Sequence, residues 1–227
     1  DGPLAKNNIK ELSDFIIPPE EVLNKQITFT EWTKLYAGKK CKLKLYSLLI
    51  RNFREIEVKA NNLDSKDGIL GAAVKYENWE NADKNLLHII KVTEGSFAQK
   101  ELGLIQNEDY IIAVKSKFSP IISLNKNEFN PLEILNNIIQ QNKGNELFLY
   151  VYNKKNGQRI INFTFTEDNF SLGCDVAYGA LHEFPYENEN NSNSINEENH
   201  DDVTEEINRV GNNNRNAVFV SGNIRQR

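Results

Sequence analysis

Apolar and polar positions follow two alternating patterns along most of the chain, and together they predict strands mixed with a few helices. Residues 86–92, 109–114 and 146–153 are β-branched or alternating runs that are typical of strands. Residues 131–141 carry apolar side chains at helical spacing, begin with proline in the first turn and end before a glycine. We therefore predict a fold that is mainly β with some α, an α+β arrangement.

Shorter signals complete the predicted unit. Ser96 is a suitable N-cap for a helix over residues 96–102, which Gly103 would end. Asn156 and Gly157 predict a hairpin turn into a further strand at 158–166. The expected architecture is a small sheet sandwich of five or six strands capped by two helices.

The same blocks of sequence occur twice in the same order, which predicts two homologous domains. The matched segments are 1–5 with 94–98, 13–17 with 108–112, 43–46 with 147–150, 54–58 with 159–163, and 70–71 with 172–173. Each copy closes on the frame Leu-Gly-x-x-Val-x-Tyr, in GILGAAVKY and in FSLGCDVAY. We place the first domain at residues 1–79 and the second at 80–188.

The two copies differ at their beginnings. In the second copy the strand at 86–92 precedes Glu94, whereas the matching strand of the first copy would lie before Asp1. The chain contains no methionine, so we expect it to be a fragment whose first domain lacks its N-terminal strand. Residues 189–227 are rich in Asn, Glu, Asp and Ser, which predicts a disordered tail in which 217–220 makes at most a local contact.

Composition excludes several classes of function. The net charge is −5 and the basic residues are scattered, which argues against a nucleic-acid partner. No apolar run approaches the roughly 18 residues that a membrane span needs. Cys41 and Cys174 are far apart, so we expect no disulfide framework and no metal site. The three histidines form no catalytic constellation with a nucleophile or carboxylate pair, so we expect no enzyme and no cofactor.

The blocks EGSFAQKELGL, EDYII, LFLYVYN and SLGCDVAYGALHEFP resemble the GRASP domain of the Golgi reassembly and stacking proteins, a tandem of two circularly permuted PDZ domains. The first-copy blocks SDFII, KLKLYS and GILGAAVKY resemble the first PDZ domain of that family. The resemblance covers nearly all of residues 1–188. It implies a scaffold on the cytoplasmic face of the Golgi membrane that tethers membranes as a homo-oligomer, with a lipid-modified N-terminus outside this chain.

A PDZ groove binds an extended peptide as an added strand, and a glycine-bearing loop captures the terminal carboxylate with backbone amides. The expected partners are C-terminal or internal peptides of golgin-like or transmembrane cargo proteins. In the first copy the expected peptide-binding residues are Gly68, Ile69, Leu70, Gly71, Ala72, Val74, Trp32 and Leu35. In the second copy they are Ser171, Leu172, Gly173, Cys174, Val176, Leu135 and Ile139.

The segment 178–185 ends the second copy, and the resemblance implies that it docks into the first groove of a neighbouring molecule. Ala180 and Glu183 stand where the family pattern has tyrosine and arginine. Two alternatives remain open at this point: a paired PDZ module that regulates a membrane or periplasmic protease, and a general PDZ adaptor.

Overall fold

The computed structural model describes residues 2–78, 82–84, 86–124, 130–165 and 171–185, together with the backbone of 216–220. It divides into two compact units, one formed by residues 1–79 with 187–227 and the other by residues 80–186. The rest of the predicted tail, 189–215 and 221–227, lies outside the described residues. Each unit is considered by itself below.

The first unit contains one antiparallel sheet and two helices. Numbered along the chain, its elements are β1 (Asp14–Ile17), α1 (Glu20–Leu23), α2 (Phe29–Leu35), β2 (Lys40–Ser47), β3 (Asn52–Lys59), β4 (Val74–Asn78) and β11 (Asn216–Val220). The order of the strands across the sheet is β3-β2-β1-β11-β4.

The second unit repeats this plan. Its elements are β5 (Leu87–Val92), α3 (Phe97–Lys100), β6 (Asp109–Ser116), β7 (Ile122–Ser123), α4 (Pro131–Gln141), β8 (Glu146–Asn153), β9 (Gly157–Thr164) and β10 (Cys174–Ala177). The order is β10-β5-β6-β8-β9, and β7 pairs with β6. The mainly β fold with a few helices is confirmed, although each unit has one continuous sheet covered by a helix rather than a sandwich of two sheets.

For elements with a clear hydrophobic period, the bounds predicted from the sequence are close to those in the structure. The bounds of α4 and β8 agree with the sequence prediction, and Ser96 caps α3 by accepting the Gln99 N–H at 3.3 Å. The predicted helix 96–102 was too long, since α3 ends at Lys100. Four residues cannot supply the i to i+4 ladder that a longer helix would have.

A helix closes the core of each unit. In the second unit Leu135 and Ile139 of α4 pack with Ile111 and Leu149 of the sheet, and each of these four side chains is at most 1% exposed. In the first unit the core holds Phe29 and Trp32 of α2 beside strand residues such as Ile16, Leu43 and Leu45. Burying one such apolar side chain contributes about 1.5–3 kcal/mol, so these helices are fixed mainly by packing.

A buried carboxylate also recurs at the same place in both units. The fully buried Asp14 accepts from Arg54 Nη2 at 2.7 Å, and the fully buried Asp109 is paired in the same way with Arg159. Arg54 lies on β3 and Arg159 lies on β9, and each of these strands is the second strand of a β-hairpin. The two ion pairs thus lie at positions that the sequence alignment of the two copies matches.

Strand β11 corrects the predicted tail. Residues 216–220 pair with β1 on one side and β4 on the other, in the place that β5 takes in the second unit. The sequence prediction left this place empty and put these residues in a segment without structure. The reason is that strand pairing across such a separation leaves no local periodic signal.

Candidate peptide-binding grooves

The strand that follows each Leu-Gly pair lies at the edge of its sheet. Among the described strands, β4 has β11 as its single neighbour and β10 has β5. Each therefore has a second edge whose backbone N–H and C=O groups are not used by another described strand. Such an edge can accept an extended peptide as an additional strand.

The loop before β4 presents backbone amides. Gly68 and Gly71 both have φ +72°, a conformation that favours glycine. The carbonyls of Ile69 and Leu70 accept from Asn61 N–H at 2.8 Å and Leu4 N–H at 3.2 Å. Within the described residues no hydrogen bond uses the amide N–H of 70, 71 or 72. Consecutive unused amides in a loop form a concavity suited to an anion such as a peptide carboxylate.

The glycine of each Leu-Gly pair is also required for close packing. A Cβ on Gly71 would lie 2.5 Å from Gly2 Cα and 2.6 Å from Pro3 Cδ. A Cβ on Gly173 would lie 2.3 Å from Ser96 Cβ, and Ser96 is the repeat counterpart of Pro3. In each unit the Leu-Gly loop therefore packs closely against the same matched segment, Gly2 and Pro3 in the first unit and Ser96 in the second.

In the loop of the second unit, one backbone amide already has a hydrogen-bond partner within the loop. Ser171 Oγ accepts the Gly173 N–H at 3.1 Å, and the buried Leu172 accepts the Ala98 N–H through its carbonyl at 2.7 Å. One of the amides that would face a carboxylate is thus satisfied by a side chain of the loop itself. The sequence prediction named Ser171 but did not anticipate this bond.

The first groove is the space between β4 and α2. Its two predicted helix residues, Trp32 and Leu35, differ in their exposure. Trp32 is 4% exposed; it stacks on Phe29 with ring centroids 5.8 Å apart and contacts the tilted ring of Tyr36 at 4.7 Å, so it supports the helix from the core. Leu35 is 60% exposed on the same helix. A capping box between Thr28 and Glu31 fixes the start of α2.

Tyr76 joins the strand to the helix, and sequence reasoning missed it. The Phe29 N–H donates to the Tyr76 hydroxyl oxygen at 3.3 Å. Phe29 is the first residue of α2, where an amide has no partner within the helix. The signal was available, because tyrosine is the last residue of the repeated Leu-Gly-x-x-Val-x-Tyr frame.

The second groove lacks this link for a chemical reason. Its helix α4 begins with Pro131, which has no N–H to donate. Tyr178, the counterpart of Tyr76, is 42% exposed. The predicted wall residues Leu135 and Ile139 are 1% exposed and belong to the core, so the half-buried Leu132 and Ile134 are the apolar residues of α4 nearer to the surface.

The two groove strands present half-buried apolar side chains. Ala72 and Val74 pack on the core of the first unit, and Cys174 and Val176 do so in the second. Burial, aided by the charge of Asp175, raises the pKa of the Cys174 thiol to about 11. The thiol is therefore protonated at neutral pH and acts as a small apolar side chain.

The described part of the chain contains no group of three or more His, Cys, Asp or Glu side chains arranged to hold a metal ion. None of its helices combines the length and the apolar character that crossing a membrane requires.

The end of the second unit is held at two points and exposed between them. The Gly179 N–H donates to the Lys84 carbonyl at 2.6 Å and the Phe184 N–H to the Asp83 carbonyl at 2.7 Å. Phe184 is 2% exposed and packs against aromatic rings of β6 and β8. Leu181 lies between these anchors and is 94% exposed.

Residues 43–187 match the family model described as the GRASP55/65 PDZ-like domain. The chain belongs to this family. It is also 29% identical over 190 residues to Golgi reassembly-stacking protein 1 of Homo sapiens and, equally, of Mus musculus. These alignments cover 81% of this chain and 40% of each relative, so the chain spans less than half the length of the curated relatives it matches.

The GRASP55/65 match confirms the family expected from the sequence blocks. It covers the Leu-Gly loop of both units and the segment that ends the second. The Leu-Gly loops and the strands β4 and β10 thus lie within the matched residues, whereas α2 precedes them.

Proposed function

We propose that this GRASP-family chain is a Golgi reassembly and stacking scaffold whose PDZ-like grooves bind peptides and which self-associates to tether Golgi membranes. The observation that carries the proposal is the edge of β4 beside α2, which pairs with no other described strand and follows the amides of residues 70–72, which donate to no described residue. The relatives bear the name Golgi reassembly-stacking protein 1, and family membership favours the scaffold over a protease-associated module.

In the first groove the ligand adds as a strand to β4. Its terminal carboxylate is bound by the loop amides, and its apolar side chains lie toward Ala72 and Val74. The ligands are C-terminal or internal segments of golgin-like or transmembrane cargo proteins. A hydrogen bond to a charged group contributes about 1.5–3 kcal/mol, so the carboxylate is a main source of affinity. The second groove is weaker for such ends, because Ser171 occupies one amide.

Self-association uses the segment 178–185 of another copy. Its exposed Leu181 stands between two fixed anchors, as an apolar side chain presented to a partner would. In this proposal the chain acts at the cytoplasmic face of the Golgi membrane as a peripheral protein that a lipid anchor attaches.

Peptide binding is tested by fluorescence anisotropy with a labelled apolar C-terminal peptide and its amidated form. The free carboxylate should bind at least about tenfold more tightly, because tenfold corresponds to 1.4 kcal/mol. Ala72→Asp places a negative charge on the groove face and should weaken binding. Ala73→Asp is the matched control, because Ala73 is exposed whereas Ala72 is half-buried against the core. Equal affinity for the two peptide forms, or equal effects of both substitutions, would contradict carboxylate capture.

Self-association is tested by sedimentation velocity over a range of concentrations. Leu181→Asp should shift the protein toward monomer, whereas Leu63→Asp changes a leucine of the first unit that is 67% exposed and should leave the distribution unchanged. In the peptide-binding assay, Ser171→Ala should raise the affinity of the second groove for carboxylate peptides, because it releases the Gly173 amide. If Leu181→Asp associates as the wild type does, the proposed docking segment is wrong.

A further inference from the structure

The side chain of Tyr76 crosses the first groove from the strand to the helix. Tyr76 lies two residues after Val74 on β4, and residues at this spacing in a strand share a face. Val74 packs on the core of the first unit, as Phe29 and Trp32 of α2 also do. Tyr76 therefore lies on the side of β4 that α2 covers, and its hydroxyl oxygen accepts the Phe29 N–H at 3.3 Å.

This hydrogen bond fixes the position of the hydroxyl. In the capping box of α2, Thr28 Oγ1 accepts the Glu31 N–H at 3.1 Å and the Glu31 carboxylate accepts the Thr28 N–H at 2.8 Å. The box leaves the Phe29 N–H without a partner inside the helix, and the Tyr76 oxygen supplies that partner. The hydroxyl is thus held in place although the tyrosine side chain is 56% exposed.

The Tyr76 hydroxyl has a donor that the described part of the chain does not use. A phenol can accept and donate a hydrogen bond at the same time. Tyr76 accepts from Phe29, and its O–H donates to no described residue. Hydrogen bonds in a chain polarise one another, so a hydroxyl that already accepts becomes a better donor. The first groove therefore contains a positioned donor that faces an incoming ligand.

The proposed binding mode determines which ligand residue meets this donor. A ligand whose carboxylate lies at the amides of residues 70–72 must follow β4 away from the loop, so it runs antiparallel to the strand. If its last residue lies opposite Ala72, the third residue from its end lies opposite Val74 and the fifth lies opposite Tyr76. Opposite residues of an antiparallel pair share a face, with Cβ atoms about 4.5–5.5 Å apart. The fifth side chain from the carboxyl end therefore lies beside the phenol.

That side chain also decides whether the donor stays satisfied. An oxygen acceptor on the ligand replaces the water that the Tyr76 O–H loses when the peptide binds. An apolar side chain of the same shape removes the O–H from water and offers it no partner. Sites that hydrogen-bond a ligand group reject analogues without that group for this reason.

We propose that Tyr76 is a specificity-determining residue of the first groove, which selects peptides with an oxygen acceptor, such as a threonine hydroxyl or an asparagine amide oxygen, at the fifth residue from the carboxyl end. The inference rests on the proposed binding of carboxylate peptides in this groove. No such selection is expected in the second groove, because Pro131 begins α4 and has no N–H to fix the hydroxyl of Tyr178.

The selection is tested by fluorescence anisotropy of the full chain with peptides that differ in one side chain. Threonine and valine have the same shape, so they are compared at the fifth residue from a free carboxyl end. The threonine peptide should bind about fivefold more tightly, which corresponds to roughly 1 kcal/mol. Asparagine against leucine at the same position should give the same order of affinities. The threonine-to-valine change at the fourth residue is the control and should have little effect, because that side chain lies on the other face.

Tyr76→Phe keeps the ring and removes the hydroxyl. The ratio of the affinities for the threonine and valine peptides should fall to about one, because valine no longer buries an unpaired O–H. If Tyr76 only held α2 in place, the substitution would weaken both peptides by the same factor and leave the ratio unchanged. The comparison of peptides on the wild-type chain does not depend on the folding of this variant.

Equal affinity of the wild-type chain for the threonine and valine peptides would overturn the role of Tyr76, and so would a preference that survives in Tyr76→Phe. An equal preference at the fourth residue would overturn the register on which the inference depends. If the wild-type chain binds no peptide through its free carboxylate, the proposed groove function fails as well. Binding that prefers the carboxylate over the amide but ignores the fifth side chain would leave that function intact and overturn the inference alone.

Discussion

Two glycines determine the shape of the loop that precedes β4, but they do so for different reasons. Gly68 and Gly71 share the same positive φ, yet a Cβ on Gly68 would have no neighbour within 4 Å, whereas one on Gly71 would overlap the backbone of Gly2. Substitutions at the two positions therefore distinguish the cost of the backbone conformation from the cost of losing close packing.

We expect Gly71→Ala to destabilise the first unit by about 2–4 kcal/mol, through the left-handed conformation and the steric overlap together. Gly68→Ala is the control and should cost about 1–2 kcal/mol, because it has the conformational cost alone. Urea unfolding followed by tryptophan fluorescence measures both. Equal destabilisation by the two substitutions would show that the contact with Gly2 is unimportant.

At this scale the sequence identified the loops but not every residue that shapes them. The repeated Leu-Gly frame located both loops, because glycine is required there. Leu135 and Ile139 were expected to line a groove, yet helical periodicity reports the face of α4 that packs on the sheet, and that face is the core. Tyr76 acts through a hydrogen bond to a residue far away in sequence, which periodicity does not encode.

At the scale of elements, the buried ion pair joins the middle of each sheet to its outer hairpin. Asp14 Oδ2 accepts from the Lys10 N–H at 2.9 Å as well as from Arg54, while its Oδ1 has no partner within the described residues. In the second unit Asn153 Nδ2 donates to the counterpart Asp109 at 2.9 Å. The first unit therefore depends more heavily on its arginine.

Arg54→Met should lower the free energy of unfolding of the first unit by about 3 kcal/mol, near the low end for a broken buried pair because Arg54 is itself partly exposed. Lys40→Met removes the exposed pair with Glu57, in which both side chains are more than half exposed, and should lower the stability much less, because solvent screens an exposed pair. Thermal unfolding of both variants makes the comparison. Similar costs would mean that the buried pair contributes little to stability.

His88, on β5, makes the stability of the second unit dependent on pH. Its ring stacks on Tyr110 with centroids 4.4 Å apart, its Nδ1 lies 3.2 Å from His182 Nδ1, and its buried Nε2 has no described partner. Burial, with a smaller contribution from His182, lowers the pKa of His88 below its usual 6.5. The unfolded chain therefore binds this proton more readily than the folded one.

Stability of the second unit should consequently fall as the pH drops below about 7, by at most about 1.4 kcal/mol per pH unit for one proton, and level off below the folded-state pKa. Chemical unfolding between pH 7.5 and 5.5 measures the slope. His88→Phe keeps an aromatic ring over Tyr110 and should flatten the dependence, whereas His200→Phe should not. A slope that survives in His88→Phe would assign the effect to another group.

Elements with a strong local hydrophobic period could be predicted from the sequence. Strand β11, which depends on pairing with distant residues, could not. Pro131 and the apolar spacing after it fixed α4, and alternation fixed β8. Strand β11 was missed because its Asn-rich surroundings indicate a segment without structure, whereas its place depends on edges that β1 and β4 provide from the other end of the chain.

At the scale of the whole molecule, charge and exposed apolar residues determine which surfaces the chain approaches. The net charge of −5 opposes adsorption to anionic lipid, since attraction to such membranes depends on clusters of lysine and arginine. The untagged chain should therefore stay in the supernatant when phosphatidylserine vesicles are sedimented at 0.15 M salt. Substantial co-sedimentation would show a lipid-binding surface that the charge pattern does not predict.

A tether needs attachment to one membrane and a contact with a molecule on another. Bound through an N-terminal His tag to vesicles that contain nickel-chelating lipid, the chain should aggregate the vesicles, because every vesicle then presents both the first groove and the segment 178–185. Aggregation, measured by dynamic light scattering, should disappear with Leu181→Asp and persist with Leu63→Asp, since only the first residue lies in the docking segment. A soluble excess of the untagged chain should compete with it. Vesicles that remain dispersed with the wild-type chain would mean that self-association does not act between membranes.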